Sequence, residues 1–213
     1  MLPGIDDGRF RTIYADPPWT ERGAGKIKRG ADRHYPLVPT PEIPGVMKGA
    51  MALGAPLWKP ASDAHLYLAV TNNFLEDGLW VMRELDFRYV TNLSWTKMKG
   101  GADLDADIDQ LADETRSGIG QYFRGEHELI LFGVRGQGMS PAVYTGRRDL
   151  GSSILAKHER RSDGQRIHSR KPVDIYERIE ARSHGPYLEL FARAGRPGWV
   201  SWGNDPAVAP AAP

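Results

Sequence analysis

Apolar residues fall in short runs that are hydrophobic at odd and even positions alike: residues 11–15, 65–70, 89–96, 128–134, 153–156, 187–192 and 198–202. Runs of that length, rich in β-branched and aromatic residues, predict strands buried on both faces of a sheet. Between them the spacing changes. Phe74, Leu75, Leu79, Met82 and Leu85 recur at helical intervals over 74–85, with Asn72 or Asn73 placed to cap the start. Val173, Ile175, Tyr176 and Ile179 do the same over 173–181, behind Pro172. Strands alternating with helices predict an α/β fold with a mainly parallel sheet. The last two strands are joined by Ala194-Gly195-Arg196-Pro197-Gly198, which predicts a C-terminal hairpin and so a mixed sheet. Two stretches rich in glycine and charge, 20–39 and 97–120, show no period and predict long loops, either functional lids or disordered.

The chain has 213 residues, enough for one domain with a real core, expected over 1–205 with a frayed tail at 206–213. It has no cysteine, which excludes disulfides, thiolate metal sites and cysteine nucleophiles. No apolar run approaches the ~18 residues of a membrane span, and no leader pattern is visible. A cytoplasmic protein without a membrane partner is the expectation. Net charge is only +1, but it is unevenly spread. Arg22, Lys26, Lys28, Arg29 and Arg33 cluster in one segment, and Lys157, Arg160, Arg161, Arg166, Arg170 and Lys171 in another. Asp103, Asp105, Asp107, Asp109, Asp113 and Glu114 form an acidic stretch between them. Its alternation imitates a calcium loop, but Ile108 stands where the sharp turn needs glycine. The six histidines show no H-x-x-x-H spacing, so no metal is expected. Gly-x-Ser-x-Gly and Gly-Lys-Ser/Thr strings are absent too, which removes the usual marks of hydrolases and NTPases.

The strongest chemical signal follows the first strand: Asp16-Pro17-Pro18-Trp19. Two prolines fix φ near −65° and remove two N–H groups, so the turn is stiff and its carbonyls are expected to face no local donor. Such a turn aims the Asp16 carboxylate and the Pro17 carbonyl at one exocyclic amine, with Trp19 as a stacking plate for a flat base. The plain structural alternative is a Pro-Pro loop with a core tryptophan. A second group lies near the C-terminus. Lys171 stands at a helix start, where its charge and the helix N–H groups suit a carboxylate. Arg193 ends a strand, and Asn204 follows a strand and a glycine, suited to ribose hydroxyls.

Taken in order, these segments resemble the adenine-N6 methyltransferase family that includes the eukaryotic mRNA m6A writer and many bacterial and phage members. The resemblance runs from about Phe10 to Asn204. It rests on Asp-Pro-Pro-Trp, His34-Tyr35-Pro36, Leu93-Ser94-Trp95-Thr96-Lys97, Gly120-x-x-x-Arg124-x-Glu126-His127-Glu128 leading to Gly133-Val134-Arg135-Gly136, Ser169-Arg170-Lys171-Pro172 and Glu189-Leu190-Phe191-Ala192-Arg193. It implies S-adenosylmethionine (SAM) as methyl donor and a Rossmann-like methyltransferase sheet with permuted motif order, the catalytic motif preceding the donor-binding strand. It further implies a catalytic motif of Asp16, Pro17, Pro18 and Trp19, and donor contacts from Lys171, Phe191, Arg193, Asn204 and Asp205. Tyr35, Lys97, Arg124 and His127 would line the substrate side. Asp205 stands where the writer has glutamine, and the loop after Arg193 lacks the writer's His-Asn pair. The resemblance to stand-alone bacterial and phage members implies a nucleic-acid substrate, with DNA favoured over RNA; the alternative is a non-catalytic nucleic-acid-binding partner, a class whose members lose the Asp or the Trp of the motif, both intact here.

Overall fold

Strand β1 (Phe10–Ala15) leads directly into Asp16-Pro17-Pro18-Trp19 at its carboxyl end, and nearly all of it is buried. The computed structural model describes residues 9–20, 37–49, 58–116, 122–158 and 171–203, the side chain of Ile108 excepted. Within them the chain continues through α1 (Ile43–Met47), β2 (Pro60–Val70), α2 (Leu75–Glu84), β3 (Arg88–Met98), α3 (Ile108–Asp113) and β4 (His127–Arg135). It ends with β5 (Ser153–Lys157), α4 (Val173–Arg182), β6 (Tyr187–Leu190) and β7 (Trp199–Trp202). The seven strands form one sheet in the order β5-β3-β4-β2-β1-β6-β7. Only β4 runs against the others, pairing antiparallel with β2 and β3. This mostly parallel, Rossmann-like sheet meets the expected fold class, and β1 lies beside β6, far later in the chain.

Side-chain alternation sorts β1 between two cores. Ile13 and Ala15 face α1 and α2, among Ile43, Met47, Leu66, Leu68, Val81 and Met82. Tyr14 faces α4, among Tyr67, Ala69, Trp95, Ile130, Ile175 and Ile179. Helix α2 approaches the sheet closely at Gly78, where an added Cβ would lie 2.6 Å from Val70 Cγ1 and 2.8 Å from Leu131 Cδ1. From β1 the chain moves to β2 on one side, while β6 occupies the other. The crevice beyond the carboxyl ends of β1 and β6 is therefore the kind of switch point where open α/β sheets bind ligands.

Three local expectations need correction. The C-terminal hairpin is not formed: β7 pairs parallel to β6, Tyr187 against Trp199 and Leu190 against Trp202. Phe191, at φ 63°, turns the chain out of the sheet, and residues 193–196 run back to the start of β6. Pro197 and Gly198 (φ 81°) then make the turn that re-enters β7, with the Trp199 N–H donating to the Arg196 carbonyl at 3.1 Å. The Pro-Gly pair marks a turn at the start of β7, not a link between antiparallel ends. Second, 97–120 is not without structure, since α3 forms inside the acidic stretch, with Leu111 buried against Met98 and Ala102. Third, neither Asn72 nor Asn73 caps α2 through its side chain; both belong to a short 3₁₀ turn that leads into it. The remaining strands and both expected helices are present within a few residues of their predicted bounds. No helix among the described residues is long and apolar enough to cross a membrane.

Candidate active site

The carboxyl ends of β1 and β6 and the start of α4 enclose a cleft. Tyr14, Asp16, Lys171, Val173, Tyr176, Glu189, Phe191 and the return run from Arg193 to Pro197 line it. That run is held to α4: Arg196 makes two hydrogen bonds to Glu180, at 2.9 and 3.2 Å, and lies over the Tyr176 ring. Glu180 also accepts the Trp199 Nε1–H at 2.7 Å.

Four charged side chains meet at the cleft in alternating sign. Lys171 Nζ lies 3.2 Å from Asp16 Oδ1 and 2.7 Å from Glu128 Oε2. Glu128 Oε1 in turn lies 2.8 Å from Lys97 Nζ. Lys97 and Lys171 also stand 5.7 and 5.9 Å from the centroid of the Trp95 ring, within reach of its π-face. Alternation in the strands explains the meeting. Glu128 pairs with Trp95 across β3 and β4, and Lys97 is two residues beyond Trp95 on the same face. Burial alone would raise the Glu128 carboxyl, but Lys171 and Lys97 drive it down to about 2. Burial would likewise lower Lys171, but Asp16 and Glu128 hold it well above its ordinary value, so it stays charged. Asp16 moves the other way: burial, with Glu128 adding, outweighs Lys171 and Arg193 and raises its carboxyl above the ordinary 3.8. A raised carboxyl is a better proton acceptor than a surface aspartate.

The expected site residues divide unevenly. Asp16, Lys97, Lys171, Phe191 and Arg193 come together at or beside the cleft. Tyr35, Asn204 and Asp205 lie outside the described residues. His127 opens β4 but is exposed, because its neighbour Glu128 takes the face toward Lys171. Glu128 is thus the residue that sequence reasoning missed. A glutamate at the head of the apolar run Leu129-Ile130-Leu131-Phe132 is the signal that marks it. Arg124 is exposed next to Tyr122 and Phe123, whose side chains stand 93% and 89% exposed.

Two readings of the motif need correction. The proline carbonyls do meet donors: Pro17 accepts the Trp19 N–H at 2.9 Å and Pro18 the Val38 N–H at 2.8 Å. The turn closes on itself and on residue 38, which stiffens it and leaves Pro17 its second lone pair. Trp19 is not a plate facing the cleft. It is buried, stacks on Phe74 with ring centroids 5.4 Å apart, and donates its Nε1–H to the Ala69 carbonyl at 3.1 Å. Its side chain lies on the α2 side of the sheet, opposite Asp16, and anchors the turn there.

The residues present suit a zwitterionic nucleoside ligand. Lys171 has three N–H groups and uses two on carboxylates, leaving one for a ligand carboxylate. Arg193 shares the lining and its charge reaches Asp16, apolar contact comes from Val173, Phe191 and Pro197, and the buried Tyr14 hydroxyl has no partner among the described residues. No group of three histidine or acidic side chains able to hold a metal occurs among the described residues.

The family profile MT-A70 matches residues 10–205. A Medicago truncatula protein named putative N(6)-adenosine-methyltransferase MT-A70-like is 29% identical over 93% of this chain and 26% of its own length. An Oryza sativa subsp. japonica protein, named probable N(6)-adenosine-methyltransferase MT-A70-like, is 28% identical over 93% of the chain and 23% of its own length. The Danio rerio N(6)-adenosine-methyltransferase subunit METTL3 is 27% identical over 93% of the chain and 28% of its own length. The chain spans about a quarter of the length of these curated relatives. With the family profile matched over nearly all of its length, the chain belongs to the MT-A70 family.

Proposed function

We propose that the protein is a SAM-dependent methyltransferase acting on the N6 amine of adenine in nucleic acid. The observation that carries this reading is Asp16: a largely but not fully buried carboxylate with a raised pKa, held by a closed Pro-Pro turn at the mouth of a cleft beside Lys171. When bound, SAM supplies an electrophilic methyl group on sulfonium. The chain's own residues do the rest. The lone pair of N6 is delocalised into the purine, so the amine is a poor nucleophile. Asp16 accepts one N–H and the free lone pair of Pro17 accepts the other, which favours a pyramidal nitrogen. As the nitrogen becomes cationic, Asp16 stabilises the charge and takes the proton released. Holding the two reactants in line supplies up to ~7–11 kcal/mol.

Lys171 keeps Asp16 in place through one N–H and offers another to the donor carboxylate, tying the two halves of the site together. Glu128 and Lys97 keep Lys171 from swinging away. Beyond the cleft, Tyr122, Phe123 and Arg124 form an exposed aromatic and cationic edge suited to stacking with unpaired bases. The names of the relatives specify adenosine, the ribonucleoside, which favours RNA; the DNA preference drawn from stand-alone members gains no support from them.

The test uses Asp16→Asn. It is expected to bind SAM within a few-fold of wild type by calorimetry and to lose nearly all methyl transfer to matched RNA and DNA oligonucleotides. Wild-type turnover by that variant would defeat the assignment, and the two wild-type arms separate an RNA from a DNA enzyme.

A further inference from the structure

Tyr14 is buried beneath α4, yet its hydroxyl makes no hydrogen bond among the described residues. A buried donor left unpaired is costly, and phenylalanine would fill the same space without that cost. The surroundings explain why none of the described residues pairs with it. The ring meets Tyr176 edge-on at 5.5 Å, but the Tyr176 hydroxyl donates to Glu189 Oε1 at 2.7 Å. Asp16, two residues further along the chain, holds Lys171. Tyr14, Asp16, Tyr176 and Glu189 all line the cleft, so Tyr14 borders the proposed donor site.

The chemistry of that wall narrows the ligand group. The Glu189 carboxylate and two phenols present oxygen atoms suited to an α-ammonium, while Lys171 beside them suits an α-carboxylate. Both groups belong to one part of SAM. We propose that the Tyr14 hydroxyl is a donor-binding group whose missing hydrogen bond is made by the amino-acid end of bound SAM. The proposal rests on the donor reading above and adds a contact from a side chain that the sequence motif does not single out. It also accounts for a tyrosine in a packed strand: the free protein carries an unpaired hydroxyl that the complex satisfies.

Tyr14→Phe keeps the ring and its packing. Two measurements are needed: calorimetry with SAM and with S-adenosylhomocysteine, which keeps the amino-acid end and lacks the sulfonium, and thermal melting of the free protein. The expected result is a loss of ~3–10-fold in affinity for both compounds, the size of one hydrogen bond. The melting temperature of the free variant is expected to equal or exceed that of wild type. Equal affinities of wild type and variant would overturn the proposal. A loss for SAM alone would overturn it too, since it would place the hydroxyl at the sulfonium. A lower melting temperature would also overturn it, by showing that the hydroxyl is bonded within the free protein. If wild type bound neither compound, the donor reading itself would fall, and this contact with it.

Discussion

At Asp16 two opposing forces act on one carboxyl: burial pushes its pKa up and Lys171 pulls it back, and burial wins. The consequence is visible in rate. Asp16 must be ionised to accept the amine, so kcat/KM is expected to fall as pH drops through a limb lying above 3.8, the ordinary aspartate value. Loss of charge on Glu128 in Glu128→Gln removes a like charge near Asp16, so this limb is expected to move toward lower pH. A pH–rate profile of both proteins checks it; an unchanged limb in the variant would show that Asp16 does not set it. At this scale the sequence revealed which residues carry the chemistry better than what each one does. Asp16 and Lys171 could be found because their motifs are local. The place of Trp19 could not, because which face of the sheet a side chain takes depends on the direction of the turn after β1. Choosing between His127 and Glu128 needed the register of β4 against β3, where a shift of one residue exchanges the faces.

Elements were legible wherever hydrophobic period was strong. The buried runs of β1, β2, β4 and β6 and the stripes of α2 and α4 lie close to where the periods put them. The failures share a cause. Helix α3 buries Leu111 in a small satellite core with Met98 and Ala102, too little apolar surface to show through an acidic background. The β6–β7 pair was misread because Pro-Gly marks a turn without saying which strand ends the turn joins. The return run that replaces the hairpin has functional weight, since it forms one wall of the cleft. Helix α2 offers an energetic test. Ala at Gly78 would gain up to ~1 kcal/mol of helix propensity. Its Cβ would crowd β-branched Val70 and Leu131, and overpacking of this kind costs ~1–3 kcal/mol. Gly78→Ala is therefore expected to lower stability by ~1 kcal/mol in denaturant titration, and a stabilised variant would mean that α2 can move off the sheet freely.

Over the whole molecule, one strand run against six and a late strand set beside the first create the crevice where the chemistry gathers. That order could be anticipated only through family resemblance, since pairing between distant segments leaves no local trace. The far end of the sheet has its own electrostatics. His65 in β2 is buried, with Nε2 donating to the Gly138 carbonyl at 2.6 Å and Nδ1 facing Ser183 Oγ at 2.7 Å. Burial lowers its pKa below the ordinary 6.5, so the unfolded chain takes up a proton that the folded one refuses. Stability is expected to decline as pH falls below 6.5. Glu128, held near 2 against an ordinary 4.5, adds a further loss between those values, while raised Asp16 partly opposes it. Melting temperatures between pH 7 and 5 check the first step. His65→Gln is expected to start lower and to flatten that decline, and an equally steep fall would assign it elsewhere.

The account stands most directly on where a methyl group goes. Incubation with isotopically labelled SAM and matched single-stranded RNA and DNA, followed by nucleoside mass spectrometry, is expected to find the label on the N6 atom of adenine with the wild-type chain and none with Asp16→Asn. Label on another base or atom, or equal labelling by the variant, would contradict it.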